Sequence, residues 1–376
     1  MKVLIIGLRV GAGLISMCQA VKEKLDLAGC ETIYTDLYAN NKAQDNLNAE
    51  VYYKMAKCFP RIMSFGQNIA YKIALKSKKR HFLLGHEIKS AQKELKFFLE
   101  QNKPDVVFTN VQFVAFALDK LIDEGGFQGD YYFQTPDFMV PYYTQTMRHA
   151  KCIFSSCEEV TQLLIQKGCA VKIITTGIPV SSSFENLPPA KDLCEKLGLP
   201  DTNNILISNG GAGFGSNKKL VENICPYLGN YRLIVINGNN TVEKEKIEKF
   251  IMEKKVKNVV NLGFVKNMPE YMAVSGVMLG KCGGSTLSEA SSCELCFIAY
   301  DNKLFPEIRN IKYLKQKNAA FVVRHAKDAE RIIKQFLSDN RPFVEKKKNF
   351  SHINLRNAAQ RISDIICADY KAKKPW

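Results

Sequence analysis

The residue types best suited to chemistry lie together in the segment Gly280-Lys281-Cys282-Gly283-Gly284-Ser285-Thr286-Leu287-Ser288-Glu289-Ala290. An apolar run precedes it and a helical pattern follows, so the paired glycines stand where a strand turns into a helix. A helix N-terminus presents N–H groups without intrahelical partners and the positive end of the helix dipole, which together bind phosphate. Gly283 and Gly284 allow a pyrophosphate close to the backbone, while Ser285 and Thr286 add hydroxyl donors. The segment predicts a phosphate-binding turn.

The same residues allow an interpretation without a ligand. Thr286 and Glu289 are spaced as in a capping box, in which two side chains bond the N–H groups at a helix start. The two interpretations are compatible, because Thr286 can begin the helix while Glu289 reaches a ligand.

Two further glycine-rich loops each follow the first predicted strand of one half of the chain. They are Gly11-Ala12-Gly13 and the segment 210–216, which contains Gly211 and Gly213. Neither is the full dinucleotide fingerprint with a suitably placed acidic residue, so a nicotinamide cofactor is not indicated. The pair Cys293 and Cys296 has no second pair at zinc spacing, and no carboxylate pair is spaced as a metal site. We expect neither a metal nor a cofactor.

Short apolar runs alternate with helical patterns along the chain, which predicts an α/β fold of doubly wound domains. The runs lack polar alternation, as is typical of parallel strands buried on both faces. The predicted strands are Val3–Gly7, Thr32–Leu37, Asp105–Thr109, Tyr131–Gln134, Cys152–Ser155, Ile173–Thr176, Asn204–Asn209, Arg232–Asn237, Val259–Phe264, Val277–Leu279, Cys296–Tyr300 and Ala320–Val323.

Length and composition predict two domains. A chain of 376 residues exceeds the usual size of one core, and a segment rich in proline and serine at 179–189 divides it. We place the N-terminal domain at 1–180, a linker at 181–190 and the second domain at 191–345.

Positive charge is concentrated in one region. The formal net charge is +16, and residues 51–103 hold twelve Lys and Arg against three acidic residues, with apolar residues interleaved. This mixture suits a surface helix on anionic lipid, where each cation contributes about 1 kcal/mol. A solvated helix face and a nucleic-acid surface are the alternatives, but no nucleic-acid motif is present and we expect no such partner. The predicted membrane-facing residues are Lys76, Lys78, Lys79 and Arg80.

Cysteine usage and hydropathy indicate the compartment. Twelve cysteines without an export signal favour a reducing cytosol. Arg9 interrupts the opening apolar run, which predicts a strand and not a signal peptide. No run reaches the roughly 20 apolar residues of a membrane span. We expect a cytoplasmic protein associated peripherally with the inner face of the cell membrane.

The segments 263–272 and 281–290 resemble the donor half of family 28 glycosyltransferases. The first reads Gly263-Phe264-Val265-Lys266-Asn267-Met268-Pro269-Glu270-Tyr271-Met272. Asp137-Phe138 and Gly177-Ile178-Pro179-Val180 match the lipid-glycosylating branch of that family. The resemblance spans almost the whole chain and implies the GT-B fold, with two Rossmann-like domains and an interdomain cleft. It also implies that the C-terminal segment 346–376 forms a helix, over 346–370, that packs back on the first domain.

The resemblance implies that the phosphate-binding turn holds the diphosphate of a UDP-sugar donor. A helix N-terminus can neutralise that leaving group without a metal. Glu289 would accept hydrogen bonds from the ribose hydroxyls, and Phe264 and Val265 would contact the uracil edge. Gly211 and Gly213 would lie close to the donor, where a side chain would obstruct it.

Further residues match the family at the donor sugar and on the acceptor side. Glu307 and Asn310 are in register with the segment that grips the donor sugar, and Gly11 and Gly13 belong to the acceptor-side loop. An inverting transfer also needs a base for the acceptor hydroxyl. Asp137 follows a strand of the first domain and is our candidate, although a loop carboxylate that bonds nearby N–H groups is an equal alternative.

The chain departs from the family pattern at three places. Leu14 stands where the family carries a histidine, Met139–Tyr143 replaces a segment with a histidine and an aromatic residue, and Leu304–Glu307 replaces a Pro-Gly-Gln-Glu segment. We expect an inverting transferase that moves a hexosyl group from a UDP-sugar to a lipid or lipid-linked acceptor at the membrane surface. A catalytically impaired nucleotide-sugar-binding scaffold and a sugar-nucleotide epimerase are the alternatives. The oligomeric state stays open.

Overall fold

The chain folds into two compact units. The first contains Met1–Ser181 and Leu355–Trp376, and the second contains Ser182–Asn354. The computed structural model describes residues 1–9, 11–41, 55, 58–77, 84–199, 204–211, 213 and 217–373. Three short 3-10 turns occur among these residues, at Thr144–Thr146, Ser182–Phe184 and Cys225–Tyr227.

The first unit is built on a six-stranded sheet with the order β2-β1-β3-β4-β5-β6, in which all pairs are parallel. Helices in the connections between parallel strands cover the faces of such a sheet. Its elements in chain order are β1 Lys2–Gly7, α1 Ala12–Leu27, β2 Glu31–Asp36, α2 Pro60–Lys76, α3 Gly85–Asn102, β3 Val106–Thr109, α4 Gln112–Asp123, β4 Asp130–Gln134, β5 Ala150–Ser155, α5 Glu158–Gln166 and β6 Ile173–Thr175.

The second unit repeats this design with the order β12-β11-β10-β7-β8-β9, again all parallel. Its elements are α6 Ala190–Lys196, β7 Asn204–Ser208, α7 Asn217–Ile224, β8 Arg232–Ile236, α8 Thr241–Lys254, β9 Val259–Leu262, α9 Met268–Ala273, β10 Val277–Lys281, α10 Gly284–Ser292, β11 Cys296–Tyr300, α11 Phe305–Gln316, β12 Ala320–Val323, α12 Ala326–Ser338 and α13 Arg341–Phe350.

Fully buried aliphatic strands form the core of each unit. In β1, Val3 to Ile6 have no solvent exposure, and in β7, Ile205 to Ile207 have none. Continuous apolar runs of this kind satisfy both faces of a parallel sheet at once. All twelve strands predicted from the sequence are present, within one or two residues of the expected bounds.

The last helix of the chain, α14 (Ala358–Lys373), belongs to the first unit. Ile362 and Ile366 are fully buried in the core that also holds Val3 and Ile5. The predicted helix over 346–370 is therefore two helices, α13 in the second unit and α14 in the first. The chain between them includes Asn357, whose φ of 58° is incompatible with a continuous helix.

Among the described residues, no helix combines the length and the apolar character that crossing a membrane requires.

Candidate functional site

The strand order of the second unit places its two glycine segments side by side. From β7 the chain proceeds to β8 and β9 on one side, and then returns to β10 on the other side of β7. This reversal creates a switch point at the carboxyl ends of β7 and β10, where ligands of doubly wound folds bind. The loop after β7 contains Gly210, and the turn after β10 contains Gly283. The sequence-predicted phosphate-binding turn and the loop of Gly211 and Gly213 therefore meet at this edge.

The turn after β10 leads directly into α10. Gly283 is the N-cap residue, with φ −69° and ψ 145°, and the helix begins at Gly284 without a side-chain cap hydrogen bond. The capping-box interpretation of Thr286 and Glu289 is therefore wrong, because Thr286 already lies inside the first turn. Glu289 instead accepts a hydrogen bond from Ser285 Oγ at 2.7 Å.

Neither packing nor backbone conformation requires glycine at position 283. A Cβ atom built there would have its nearest neighbour, Lys281 Nζ, at 3.6 Å, which is ordinary contact. The φ angle is one that any residue adopts. The space above the turn is therefore open to a group that approaches the N-terminus of α10, which is the geometry of an anion site.

Lys281 places a positive charge between the two glycine segments. A Cβ atom at Gly210 would meet Lys281 Cε at 2.6 Å, so the lysine side chain crosses directly over that glycine. Its ammonium group lies 3.5 Å from Glu307 Oε1, and the lysine side chain is about one quarter exposed. Lys281 was not among the predicted site residues, because no sequence pattern shows that its side chain turns toward the glycine loop.

Glu307 and Asn310 hold the backbone just before the turn. The Cys282 N–H donates to Glu307 Oε2 at 3.1 Å, and Asn310 Nδ2 donates to the Cys282 carbonyl at 2.7 Å. Both side chains are buried and one helical turn apart on α11. The structure thus places these two predicted donor-binding residues against the turn, where they position it. Burial and the nearby Glu307 carboxylate raise the pKa of the Cys282 thiol, which keeps it neutral.

The loop after β7 has a backbone that only glycine adopts easily. Gly213 has a φ of 63°, and a Cβ atom there would lie 2.1 Å from the Asn237 carbonyl oxygen. The protein's own backbone therefore requires glycine at position 213, independently of any ligand. Asn240 Nδ2 donates to the Gly213 carbonyl at 2.9 Å, which fixes the loop. The Gly211 carbonyl in turn accepts from a backbone N–H of the segment after β8 at 2.8 Å.

Phe264 and Val265 follow β9 at the same edge of the sheet. Phe264 is 59% exposed, and Val265 is half-buried. A Cβ atom at the neighbouring Gly263 would lie 3.8 Å from the carbonyl oxygen of Gly238, the glycine that packs on the Gly211 backbone. An exposed aromatic ring beside this loop is suited to stacking on a planar base.

The predicted acceptor-side loop of the first unit lies at the corresponding switch point, between β1 and β3. Gly11 has a φ of 84° and is the N-cap of α1, whereas Gly13 lies within the first turn of that helix. Buried Asn110, which follows β3, donates to the Leu14 carbonyl at 2.8 Å and so fixes the start of α1. Leu14, which the resemblance predicts to stand in place of a histidine, is half-buried in the first turn of this helix.

Asp137 lies at the carboxyl edge of the same sheet, in the segment after β4. It is half-buried, and its backbone carbonyl accepts from Ser156 Oγ at 2.7 Å. The Ser156 N–H donates to Thr135 Oγ1 at 2.8 Å, so the segments after β4 and β5 are joined at Thr135 and at Asp137.

Helix α2 presents an apolar face to solvent. Its inner face buries Ser64, Tyr71 and Ala74. Lys76 is exposed at the C-terminal end, whereas Lys78, Lys79 and Arg80 lie outside the described residues. The large apolar side chains exposed on the helix and its N-cap are Phe59, Ile62, Phe65, Ile69 and Ile73.

In the described part of the chain, no group of three or more His, Cys, Asp or Glu side chains is arranged to hold a metal ion.

Comparison with known proteins gives a family match that covers most of the second unit and the beginning of α14. Residues 204–365 match the model of the glycosyltransferase family 28 C-terminal domain. The processive diacylglycerol beta-glucosyltransferase of Bacillus cytotoxicus is 26% identical over 380 residues, which cover 99% of this chain and 95% of that protein. The protein of the same description from Bacillus cereus is 26% identical over 381 residues, with the same coverage.

Solved structures show the same two-domain architecture. MurG of Acinetobacter baumannii superposes with a TM-score of 0.60 at 15% identity, covering 98% of this chain and 99% of that one. The S. aureus MnaA–UDP complex gives 0.62 at 12% identity, covering 98% and 97%. Anabaena HepE with UDP-glucose gives 0.55 at 13% identity, covering 98% and 100%. These likenesses establish the GT-B fold.

Proposed function

Because the chain carries the glycosyltransferase family 28 C-terminal domain on a GT-B fold, we propose that it transfers a hexosyl group from a UDP-sugar to a lipid acceptor. The observation that carries the proposal is the open turn at Gly283, with Lys281 beside it at the switch point. A turn with a helix N-terminus and an ammonium group suits a diphosphate. The Bacillus relatives support glucose as the sugar and diacylglycerol as the acceptor.

The proposed reaction assigns a role to each part of the site. The acceptor hydroxyl oxygen attacks the anomeric carbon, the bond from that carbon to the phosphate oxygen breaks, and the configuration inverts. The hydroxyl proton passes to the Asp137 carboxylate. The negative charge that develops on the departing UDP is stabilised by the N-terminus of α10 and by Lys281.

We also propose that α2 contacts the membrane that supplies the acceptor. The exposed apolar residues repeat at positions 62, 65, 69 and 73, which lie on one face of a helix. Three exposed cations, Arg61, Lys72 and Lys76, flank that face, and the helix contains no acidic residue. An apolar face beside cations is the composition of a helix that lies in the surface of an anionic bilayer.

The inner face of α2 packs on the segment that follows Asp137. Tyr142 Oη donates to the Gln67 carbonyl at 3.2 Å, and Gln145 Nε2 donates to the Ala74 carbonyl at 2.7 Å. The ring of Tyr142 also packs edge-on against Tyr71. A bilayer bound by α2 would therefore lie close to the segment that carries the proposed base.

Binding of the donor is tested with UDP. We expect UDP to raise the melting temperature of the wild type, and the Glu289→Ala variant to lose that shift because the ribose contact is removed. Glu245→Ala, an exposed glutamate on α8, is the control and should keep the shift. Absence of any UDP effect on the wild type at millimolar concentration would contradict the proposal.

Transfer is tested with UDP-glucose and vesicles that contain diacylglycerol, with the glucosylated lipid detected by mass spectrometry. Product formation supports the transferase. UDP binding without product across several UDP-sugars identifies the scaffold instead, and conversion of the UDP-sugar without an acceptor identifies the epimerase.

Membrane contact is tested by sedimentation with anionic vesicles. At high salt, where the charge is screened, the double variant Ile62→Ser, Phe65→Ser should bind less, because two side chains that are 68% and 69% exposed no longer enter the bilayer. Leu27→Ser, at an equally exposed leucine on α1, is the matched control. Equal binding by the double variant and the control would show that α2 does not contact the membrane.

A further inference from the structure

Four asparagines form a hydrogen-bonded chain along the carboxyl edge of the second sheet. Asn209 follows β7, Asn217 begins α7, Asn237 follows β8, and Asn261 lies in β9. Asn209, Asn217 and Asn237 are buried. The successive side-chain amides lie 2.6, 3.0 and 2.8 Å apart. We call this set the asparagine chain.

The direction of the hydrogen bonds is fixed from the far end. Asn261 donates its two amide protons to the Lys244 carbonyl and to Glu248 Oε2, at 2.9 and 2.8 Å, so its own oxygen must accept. Asn237 donates to that oxygen and to the Leu262 carbonyl, which makes its oxygen an acceptor as well. Asn217 in turn donates its amide nitrogen to the Asn237 oxygen, and its own oxygen accepts from Asn209.

The asparagine chain therefore ends in an acceptor. Asn209 uses its amide nitrogen for Asn217, and its buried Oδ1 accepts no hydrogen bond from any group in the described part of the protein. Flipping this amide would bring two oxygens together at 2.6 Å. A buried carbonyl without a donor costs free energy, and native proteins contain few of them.

This acceptor lies beside the proposed donor site. Asn209 directly precedes Gly210, over which the Lys281 side chain passes toward the turn at Gly283. We propose that Asn209 Oδ1 accepts a hydrogen bond from a hydroxyl group of the bound nucleotide sugar. The proposal rests on the proposed function for its ligand. Asn209 Oδ1 is shielded from solvent, so a ligand hydroxyl can reach it only if the neighbouring backbone moves. We expect this movement at Gly210 and Gly211, whose backbone is half-exposed.

The chemistry of a UDP-sugar limits which of its groups can donate a hydrogen bond to Asn209 Oδ1. A carbonyl oxygen needs a donor, and an ionised diphosphate has none. The uracil ring carries one N–H, but the resemblance implies that its edge contacts Phe264 and Val265. The ribose and the hexose of a UDP-sugar both carry hydroxyl groups. Polarisation along the asparagine chain makes the terminal oxygen a stronger acceptor than an isolated amide. The expected contact is therefore to a sugar hydroxyl adjacent to the diphosphate.

The experiment compares two alanine variants at opposite ends of the asparagine chain. Asn209→Ala removes the terminal acceptor, whereas Asn261→Ala breaks one link and leaves Asn209 Oδ1 in place. Both should lower the melting temperature of the ligand-free protein. Calorimetric titration with UDP and with UDP-glucose should show a loss of affinity of about 3- to 10-fold for Asn209→Ala relative to Asn261→Ala. Asn209→Ser provides a second variant if the alanine variant does not fold.

Comparison of the affinities for UDP and for UDP-glucose shows which sugar carries the hydroxyl group that binds Asn209. Equal weakening of UDP and UDP-glucose supports a ribose hydroxyl, and weakening of UDP-glucose alone supports a hexose hydroxyl. Equal dissociation constants for the variants at both ends, with both ligands, would overturn the inference. Wild-type protein that binds neither ligand would instead contradict the proposed function, so the two failures are distinguishable.

Discussion

Asp137 is the residue on which proton transfer depends in the proposed reaction. A positioned base contributes about 10²- to 10⁴-fold to such a step. We expect Asp137→Asn to reduce the rate of glucosyl transfer by that range, because an amide of the same shape cannot take the proton. The initial rate with saturating UDP-glucose and diacylglycerol vesicles measures the effect.

A measurement of UDP binding shows whether the Asp137→Asn variant loses activity because the base is absent or because the protein is not folded. The Asp137→Asn variant should retain the UDP-induced rise in melting temperature, since the turn at Gly283, the proposed donor site, lies in the other unit. A variant that transfers glucose at the wild-type rate would exclude Asp137 as the base and favour its role as a loop carboxylate.

Burial also predicts which thiols react. It raises the pKa of both Cys293 and Cys296 to about 12, with Glu289 adding to the effect at Cys293. At pH 7.5 almost none of either thiol is ionised, so alkylation should be slow. Exposed Cys58 should be modified first, as peptide mass spectrometry after brief iodoacetamide treatment would show.

The pH dependence of this labelling has a definite sign. A thiol whose pKa is raised by folding favours the folded state below its unfolded pKa, and that contribution is lost as the pH rises toward 12. Labelling of Cys293 and Cys296 should therefore increase between pH 7.5 and 9.5, with a parallel loss of stability. Modification of Cys293 as fast as that of Cys58 at pH 7.5 would contradict the burial.

Single residues of the site differ in how far the sequence predicts them. Gly283 and Ser285 are recognisable because a strand, two glycines and a helix are adjacent in sequence. Lys281 is not predictable from the sequence, because its role depends on the direction of its side chain. The asparagine chain is not predictable either, because its members lie up to 52 positions apart in the sequence. Gly213 was predicted to leave room for a donor, but its φ and the Asn237 carbonyl are sufficient reasons for glycine.

The strands were predictable as elements because each is buried on both faces, which leaves an uninterrupted apolar run in the sequence. Helices at the surface carry a weaker signal. The mixture of apolar residues and cations around α2 predicts a surface helix, but the sequence does not show which apolar side chains the structure turns outward. The break between α13 and α14 was missed because lysines and apolar residues continue the helical pattern on both sides of it.

Helix α14 contributes stability to the first unit in particular. Ile366 has no solvent exposure and packs with Val3 and Val21 in one core. Its replacement by alanine removes buried methyl groups and leaves a cavity, which costs about 2–5 kcal/mol. We expect Ile366→Ala to lower the protection of β1 and β3 in native-state hydrogen exchange.

The second unit provides an internal reference for this experiment. Amides of β7 and β10 should keep their protection, because their core contains no residue of α14. Ala368→Ser, at an exposed position of α14, should leave both units unchanged. Equal loss of protection in both sheets would show that α14 does not stabilise the first unit selectively.

The charge of the whole molecule and the shape of α2 predict two separable contributions to membrane binding. A net charge of +16 attracts the protein to any anionic surface over a distance set by ionic strength. The apolar face of α2 acts only on contact and is insensitive to salt. Charge should therefore control how much protein reaches the bilayer, and α2 should control how firmly it stays.

We expect binding to anionic vesicles to fall steeply between 50 and 500 mM salt, a range of about 14 to 4 Å in screening length, and to level off above zero. The residual binding should disappear in the Ile62→Ser, Phe65→Ser variant, whose low-salt binding should persist because its cations are unchanged. Vesicles of neutral lipid should show the reverse pattern, with weak binding that depends on α2 and hardly on salt. Sedimentation of the wild type, the double variant and the Leu27→Ser control across the salt series measures the fall of binding with salt, the residual binding at high salt and the binding to neutral vesicles. If high salt removes the wild type completely, charge alone accounts for the binding and the apolar face of α2 does not enter the bilayer.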